Sequence, residues 1–110
     1  MTLSQLKTAL ETMSEGAFQN KVAYRLFPTD GAPNLPFICI METQTANFKA
    51  DSRVYQKRQY VNIELYSAQK DQASEAAIEA VLDANQLIWD KAEDYISSEE
   101  MLEVVYEVVL

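Results

Sequence analysis

Residues 60–85 read YVNIELYSAQKDQASEAAIEAVLDAN, and a change of period inside this stretch decides the fold. Val61, Ile63 and Leu65 alternate with Asn62 and Glu64, the period of two expected of a strand with one buried face. From residue 71 the period lengthens. Ser74, Ala77, Ile78, Val81, Leu82 and Asn85 fall on one helical stripe, Asp71 suits the N-cap, and the many alanines favour close packing on a sheet. The spacing predicts a strand over about 54–66, half exposed through Tyr55, Tyr60 and Tyr66, followed by a helix over 71–86.

Working toward the N-terminus, Phe37 to Thr43 reads as another strand. The segment before it, residues 28–36, holds all three prolines and Gly31 and must be a loop. Lys21 to Phe27 alternates through Val22, Tyr24 and Leu26 and forms the first strand. Leu3, Leu6, Leu10 and Met13 recur at spacings of three and four behind a Thr2/Gln5 capping box, which predicts a helix over 3–14 with Gly16 as its stop. The link from Gln44 to Arg53 is longer than a tight hairpin needs, and its polarity predicts mobility in the free subunit and order on assembly. Toward the other end, Ile88–Ile96 and Met101–Val109 flank Ser97-Ser98 as a closing hairpin, with Leu102, Val104, Tyr106 and Val108 alternating with Glu103 and Glu107. The order is α-β-β-β-α-β-β. The expected fold is a single α+β domain over 1–110, one mainly antiparallel sheet with two helices packed on it.

Composition narrows the chemistry. With 110 residues, 48% of them hydrophobic, the chain can build one two-layer core without metal or disulfide support. No run of apolar residues is long enough to span a bilayer, and the first residues lack a basic, apolar leader pattern, so a soluble intracellular protein is expected. There is no histidine, which removes imidazole bases, Ser/His and Cys/His pairs and His-containing zinc sites. Gly16 and Gly31 stand alone, so no phosphate-binding loop exists. The single cysteine, Cys39, lies in the apolar run 37–41 and reads as a small core residue, with a reactive thiol as the alternative. No catalytic activity, cofactor or metal is expected.

The net charge of −8 is unevenly placed. Residues 1–66 carry seven Lys/Arg and six Asp/Glu, whereas residues 67–110 carry two and eleven. That acidity argues against nucleic-acid binding. Asp71, Glu75, Glu79 and Asp83 stand at successive i, i+4 positions of the second helix with no cation among them, a mildly unfavourable arrangement. They are either a solvated face or a docking surface for a basic patch, and their linear spacing does not converge on a metal ion. Lys49, Arg53, Lys57 and Arg58 form such a basic patch, either a solvated stretch or the complement of the acidic one. A chain with separate acidic and basic patches can associate head to tail.

The series Val22-Ala23-Tyr24, Pro36-Phe37-Ile38, Asn47-Phe48-Lys49-Ala50-Asp51, Val54-Tyr55, Ile63-Glu64-Leu65-Tyr66, Lys70-Asp71, Glu75-Ala76-Ala77-Ile78-Glu79, Glu99-Glu100-Met101 and Val105-Tyr106-Glu107 resembles the small tail-completion proteins of long-tailed bacteriophages and prophages. The resemblance runs from about residue 3 to residue 110. It implies an α-β-β-β-α-β type fold and a homo-oligomer, a hexameric ring in the virion that caps the tail tube and meets the head connector. The other readings are a neighbouring neck protein of the same virion class and a small non-viral adaptor domain.

Overall fold

The computed structural model describes the backbone of residues 1–110 and all side chains except those of Phe48, Val54, Tyr55 and Gln56. The elements are α1 (Leu3–Gly16), β1 (Val22–Tyr24), β2 (Phe37–Thr45), β3 (Phe48–Ala50), β4 (Arg53–Gln56), β5 (Gln59–Ser67), α2 (Gln72–Ala84), β6 (Trp89–Ile96) and β7 (Met101–Val109). Five strands form one sheet in the order β1-β2-β5-β7-β6, with β1 parallel to β2 and every other neighbour antiparallel. Strands β3 and β4 make a separate antiparallel hairpin. Apart from that hairpin the order is α-β-β-β-α-β-β, an α+β fold with two helices and one mainly antiparallel sheet.

The helix starts follow from local chemistry. Thr2 Oγ1 accepts from the Gln5 backbone N–H at 3.1 Å and the Thr2 N–H donates to Gln5 Oε1 at 2.9 Å, closing the capping box of α1. Asp71 caps α2 by accepting from the Ser74 N–H at 3.0 Å. Helix α1 loses regular geometry at Met13, and Ser14, Glu15 and Gly16 all take positive φ. Gly16, at +83°, adopts a conformation that L side chains rarely reach. The first strand is shorter than the alternation predicts, because Arg25 turns into the left-handed region at φ 70° and ends it.

The strand predicted over 54–66 is two strands, and the predicted link over 44–53 contains the end of β2 and all of β3. The cause is a tight turn. Asp51 and Ser52 both take positive φ, 51° and 61°, so that Ala50 pairs directly with Arg53 in the two-residue geometry that matches strand twist. The turn lacks the Asn-Gly or Asp-Gly signature that marks such geometry in a sequence.

The register fixes which residues share a face. Leu65 lies between Ile38 and Val104, Ile63 between Ile40 and Tyr106, and Val61 between Glu42 and Val108. With one exception, Glu42, these are fully or almost fully buried, and they form one cluster with Leu6 and Leu10 of α1 and Ile78 and Leu82 of α2. Both helices therefore cover the same face. The opposite face runs in rows across β2, β5, β7 and β6: Phe37, Tyr66, Glu103 and Asp94; Cys39, Glu64, Val105 and Ala92; Met41, Asn62, Glu107 and Asp90. Neither helix covers it. On this division Ile63→Ala should lower the unfolding free energy by about 2–5 kcal/mol. Asn62→Ala, one residue away on the open face, should change it by about 1 kcal/mol or less. Urea unfolding followed by circular dichroism measures both.

Candidate functional site

The four carboxylates of α2 stand in line as the spacing predicts, yet each is engaged inside the chain. Asp71 is the cap, and its Oδ2 also accepts from the Ser74 hydroxyl at 2.7 Å. Glu75 is buried, with its side chain only 4% exposed. Lys70 Nζ lies 2.9 Å from Glu75 Oε1 as a hydrogen bond and 2.8 Å from Oε2, where the geometry is a charge contact without an aligned hydrogen bond. Lys91 Nζ donates to Glu75 Oε1 at 3.2 Å and to Glu79 Oε2 at 2.9 Å. The Tyr106 hydroxyl donates to the same Glu79 oxygen at 2.7 Å, and Asp83 accepts from Trp89 Nε1 at 2.9 Å. The stripe, whose spacing reads as a solvated face or a docking surface, is thus engaged within the chain. Ser74 and Lys70 are local partners, and the others come from the sheet: Lys91 and Trp89 from β6 and Tyr106 from β7, on the face turned to α2.

This network clamps the helix to the sheet. Lys91 also lies 5.9 Å from the Trp89 ring centroid and 5.8 Å from that of Tyr106, and the two rings pack edge to face at 5.6 Å. Burial pulls the Glu79 carboxyl upward, but hydrogen bonds from Lys91 and Tyr106 outweigh it and hold the group below its ordinary value. The Lys91 ammonium is raised by its bonds to Glu79 and Glu75, against the opposing effect of burial. The Tyr106 phenol is raised by burial and by its bond to Glu79. Lys70 donates to Glu93 of β6 as well, so β6 is tied to α2 at two lysines.

The predicted basic residues Lys49, Arg53, Lys57 and Arg58 are all exposed, and the β3–β4 hairpin brings them onto one projection and its base. Among the described residues none of the four is in an ion pair. The structure does not bring them to the α2 carboxylates.

The open face holds a second network that periodicity did not single out. The Tyr66 hydroxyl lies 3.1 Å from Glu64 Oε1 and 2.7 Å from Glu103 Oε2. One O–H donates to one acceptor at full strength, so two carboxylates share one proton donor. Burial and the nearby Glu103 charge raise the Glu64 carboxyl, opposed by the bond from Tyr66. Burial and then Glu64 push the neighbouring Cys39 thiol up to about 11, which keeps it protonated and unreactive at neutral pH. Among the described residues no group of three or more His, Cys, Asp or Glu is arranged to hold a metal ion, and no helix is long and apolar enough to cross a membrane. Comparison with models of known protein families and with curated protein sequences gives no match.

The two networks predict opposite behaviour. Lys91→Met leaves Glu75 buried with one cation fewer and Glu79 without its ammonium, and should destabilise the fold by about 1–3 kcal/mol in urea unfolding at pH 7. The Glu79 contribution, from a depressed pKa, is present above the unfolded value near 4.5 and disappears as pH falls through the lower folded value. Glu64 has the reverse sign. Its raised folded value means that the ionised form opposes folding at neutral pH and that the penalty fades on acidification. Glu64→Gln should therefore raise the melting temperature at pH 7 by more than it does at pH 4, as differential scanning calorimetry would show.

Proposed function

We propose that the chain is a structural virion protein, a tail-completion or tail-terminator subunit that forms a ring at the head-proximal end of a phage tail tube and joins it to the head connector. In this reading it assembles in the bacterial host cytoplasm and resides at the tail–head interface. Its partners are copies of itself, the tail tube protein and the connector, and it has no catalytic role. The observation that carries the reading is the element order α-β-β-β-α-β-β of a small α+β domain, which agrees with the fold implied by the motif series between residues 22 and 107.

Three features support an assembling subunit over a self-sufficient one. One sheet face has no helix on it. Strand β6 pairs with β7 along its whole length and with nothing on its other side among the described residues. A two-stranded hairpin, marginal when isolated, extends from the body. Native mass spectrometry should find a hexamer of about 75 kDa, six copies of the 12.5 kDa chain, and negative-stain electron microscopy should show it as a closed ring. Added to tail tubes assembled without it, the protein should cap one end only. A monomer at every concentration that leaves the tubes uncapped would overturn the reading and favour a free adaptor domain.

A further inference from the structure

Two parts of this molecule are incomplete in complementary ways. The first is the open sheet face. Its rows carry Glu64, Asp90, Asp94, Glu103 and Glu107, and no Lys or Arg occupies this face in β2, β5, β6 or β7. Apolar and aromatic groups, Met41, Tyr66 and Val105 among them, lie between the carboxylates and stay partly exposed. The face is a mixed surface of the kind that protein contacts use, with apolar ground inside a charged frame.

The second is the β3–β4 hairpin. The β2–β5 ladder runs on into it through the bond from the Ala46 N–H to the Arg58 carbonyl at 2.8 Å and the bond from the Arg58 N–H to Asn47 Oδ1 at 3.0 Å. The hairpin follows β2 after two residues and leads into β5 after two more, outside the five-stranded sheet. The molecule measures 49 × 30 × 24 Å, and its radius of gyration of 14.8 Å exceeds the value of about 13 Å for a compact domain of this length. Lys49, Arg53, Lys57 and Arg58 lie on this arm and at its base, against the single Asp51. At the base Arg58 lines a depression with Tyr60, Asp90 and Glu107, beyond ion-pair distance of either acid, and Lys57 lines another with Met1, Thr2 and Leu110, so Lys49 and Arg53 are the cations carried on the hairpin itself.

We propose that the basic β3–β4 arm of one copy docks on the open acidic sheet face of a second copy. The occupant follows from charge: the arm is net positive, the face is uniformly acidic, and the α2 carboxylates, the other acidic surface, already hold Lys70 and Lys91. Among the described residues Lys49 and Arg53, carried on the hairpin, make no ion pair with the face of their own copy, so the contact is drawn between copies. Every copy then offers one arm and one face, a heterologous contact that closes into a ring or grows into a filament. Charge sets the register, and the apolar ground between the carboxylates supplies the area. The inference rests on the assembling-subunit reading and names its interface.

Sedimentation velocity on the full chain at low and physiological salt tests it, with wild type, an arm variant (R53E/K57E), a face variant (D94K/E107K) and the combination of all four changes. Wild type is expected to self-associate, more weakly at higher salt. Each one-sided variant should weaken association by about tenfold or more, and the combination should recover most of that loss. If the one-sided variants associate like wild type, the arm–face contact is wrong and the ring reading stands. If the variants behave as expected but the particle is an open filament, the ring is wrong and the contact stands. A wild-type chain that stays monomeric overturns both. Should a reversed variant lose its far-ultraviolet circular dichroism signal, zero-length carbodiimide cross-linking of mixed ¹⁴N and ¹⁵N wild-type protein takes its place. Mixed-isotope links from Lys49 or Lys57 to Asp94, Glu103 or Glu107 support the contact, and links from these lysines only to other acids overturn it.

Discussion

Strand β5 sits between two antiparallel neighbours, so each of its residues is matched on both sides, and its alternation must serve the whole sheet. Val61, Ile63 and Leu65 commit one face to burial, and the paired residues of β2 and β7, Glu42 apart, follow suit. A slip by one residue would carry Asn62, Glu64 and Tyr66 under the helices and expose the apolar set. The same constraint forbids a symmetric design. Once α1 and α2 both lie on the Val61 side, the other side stays polar and open, and its acidic residues accumulate in rows because the register places them there.

The helix side has its own electrostatic requirement. A line of carboxylates on α2 is unfavourable within the helix, but the sheet supplies one cation, Lys91, and two aromatic donors, Trp89 and Tyr106, and the link before the helix supplies a second cation, Lys70. Glu75 is the extreme member. It is buried between Lys70 and Lys91, and either cation alone would leave it poorly compensated. Lys91 reaches Glu75 and Glu79 from an edge strand that is otherwise exposed along most of its length. This edge strand is thus held by its ladder to β7 and, on the helix side, more by ionic contact than by apolar burial.

Legibility in the sequence followed the range of the interactions. Elements governed by local periodicity were readable: the capped start of α1 at Thr2, the Asp71 cap of α2, the closing β6–β7 hairpin and the apolar face of β5. The β3–β4 turn was not, because Asp51-Ser52 reaches positive φ without glycine or asparagine. The charge network was half readable. The i, i+4 ladder of Asp71, Glu75, Glu79 and Asp83 is a sequence fact, and Ser74 and Lys70 stand close by in sequence, but Lys91, Trp89 and Tyr106 sit on other elements and nothing in the helix names them. A usable signal did exist in β6, where the odd residues Trp89, Lys91 and Glu93 share a face and two of them can hydrogen-bond to a helix carboxylate. The acidic open face likewise required the strand order β2-β5-β7-β6, which periodicity leaves undetermined, before Glu64, Glu103 and Asp94 could be placed side by side.

The position of β7 in that order bears on how the chain is made. Strand β7 is the last element in sequence, yet it lies inside the sheet between β5 and β6. Strand β5 ends at Ser67 and β7 begins at Met101, so at a synthesis rate of about 5–20 residues per second the interval between them is about 2–7 s. Through that time the nascent chain holds β5 with one side unpaired, the kind of edge that recruits another strand. Asn62 and Glu64, set between Val61, Ile63 and Leu65, interrupt the apolar run of this edge, the placement that disfavours pairing with another chain.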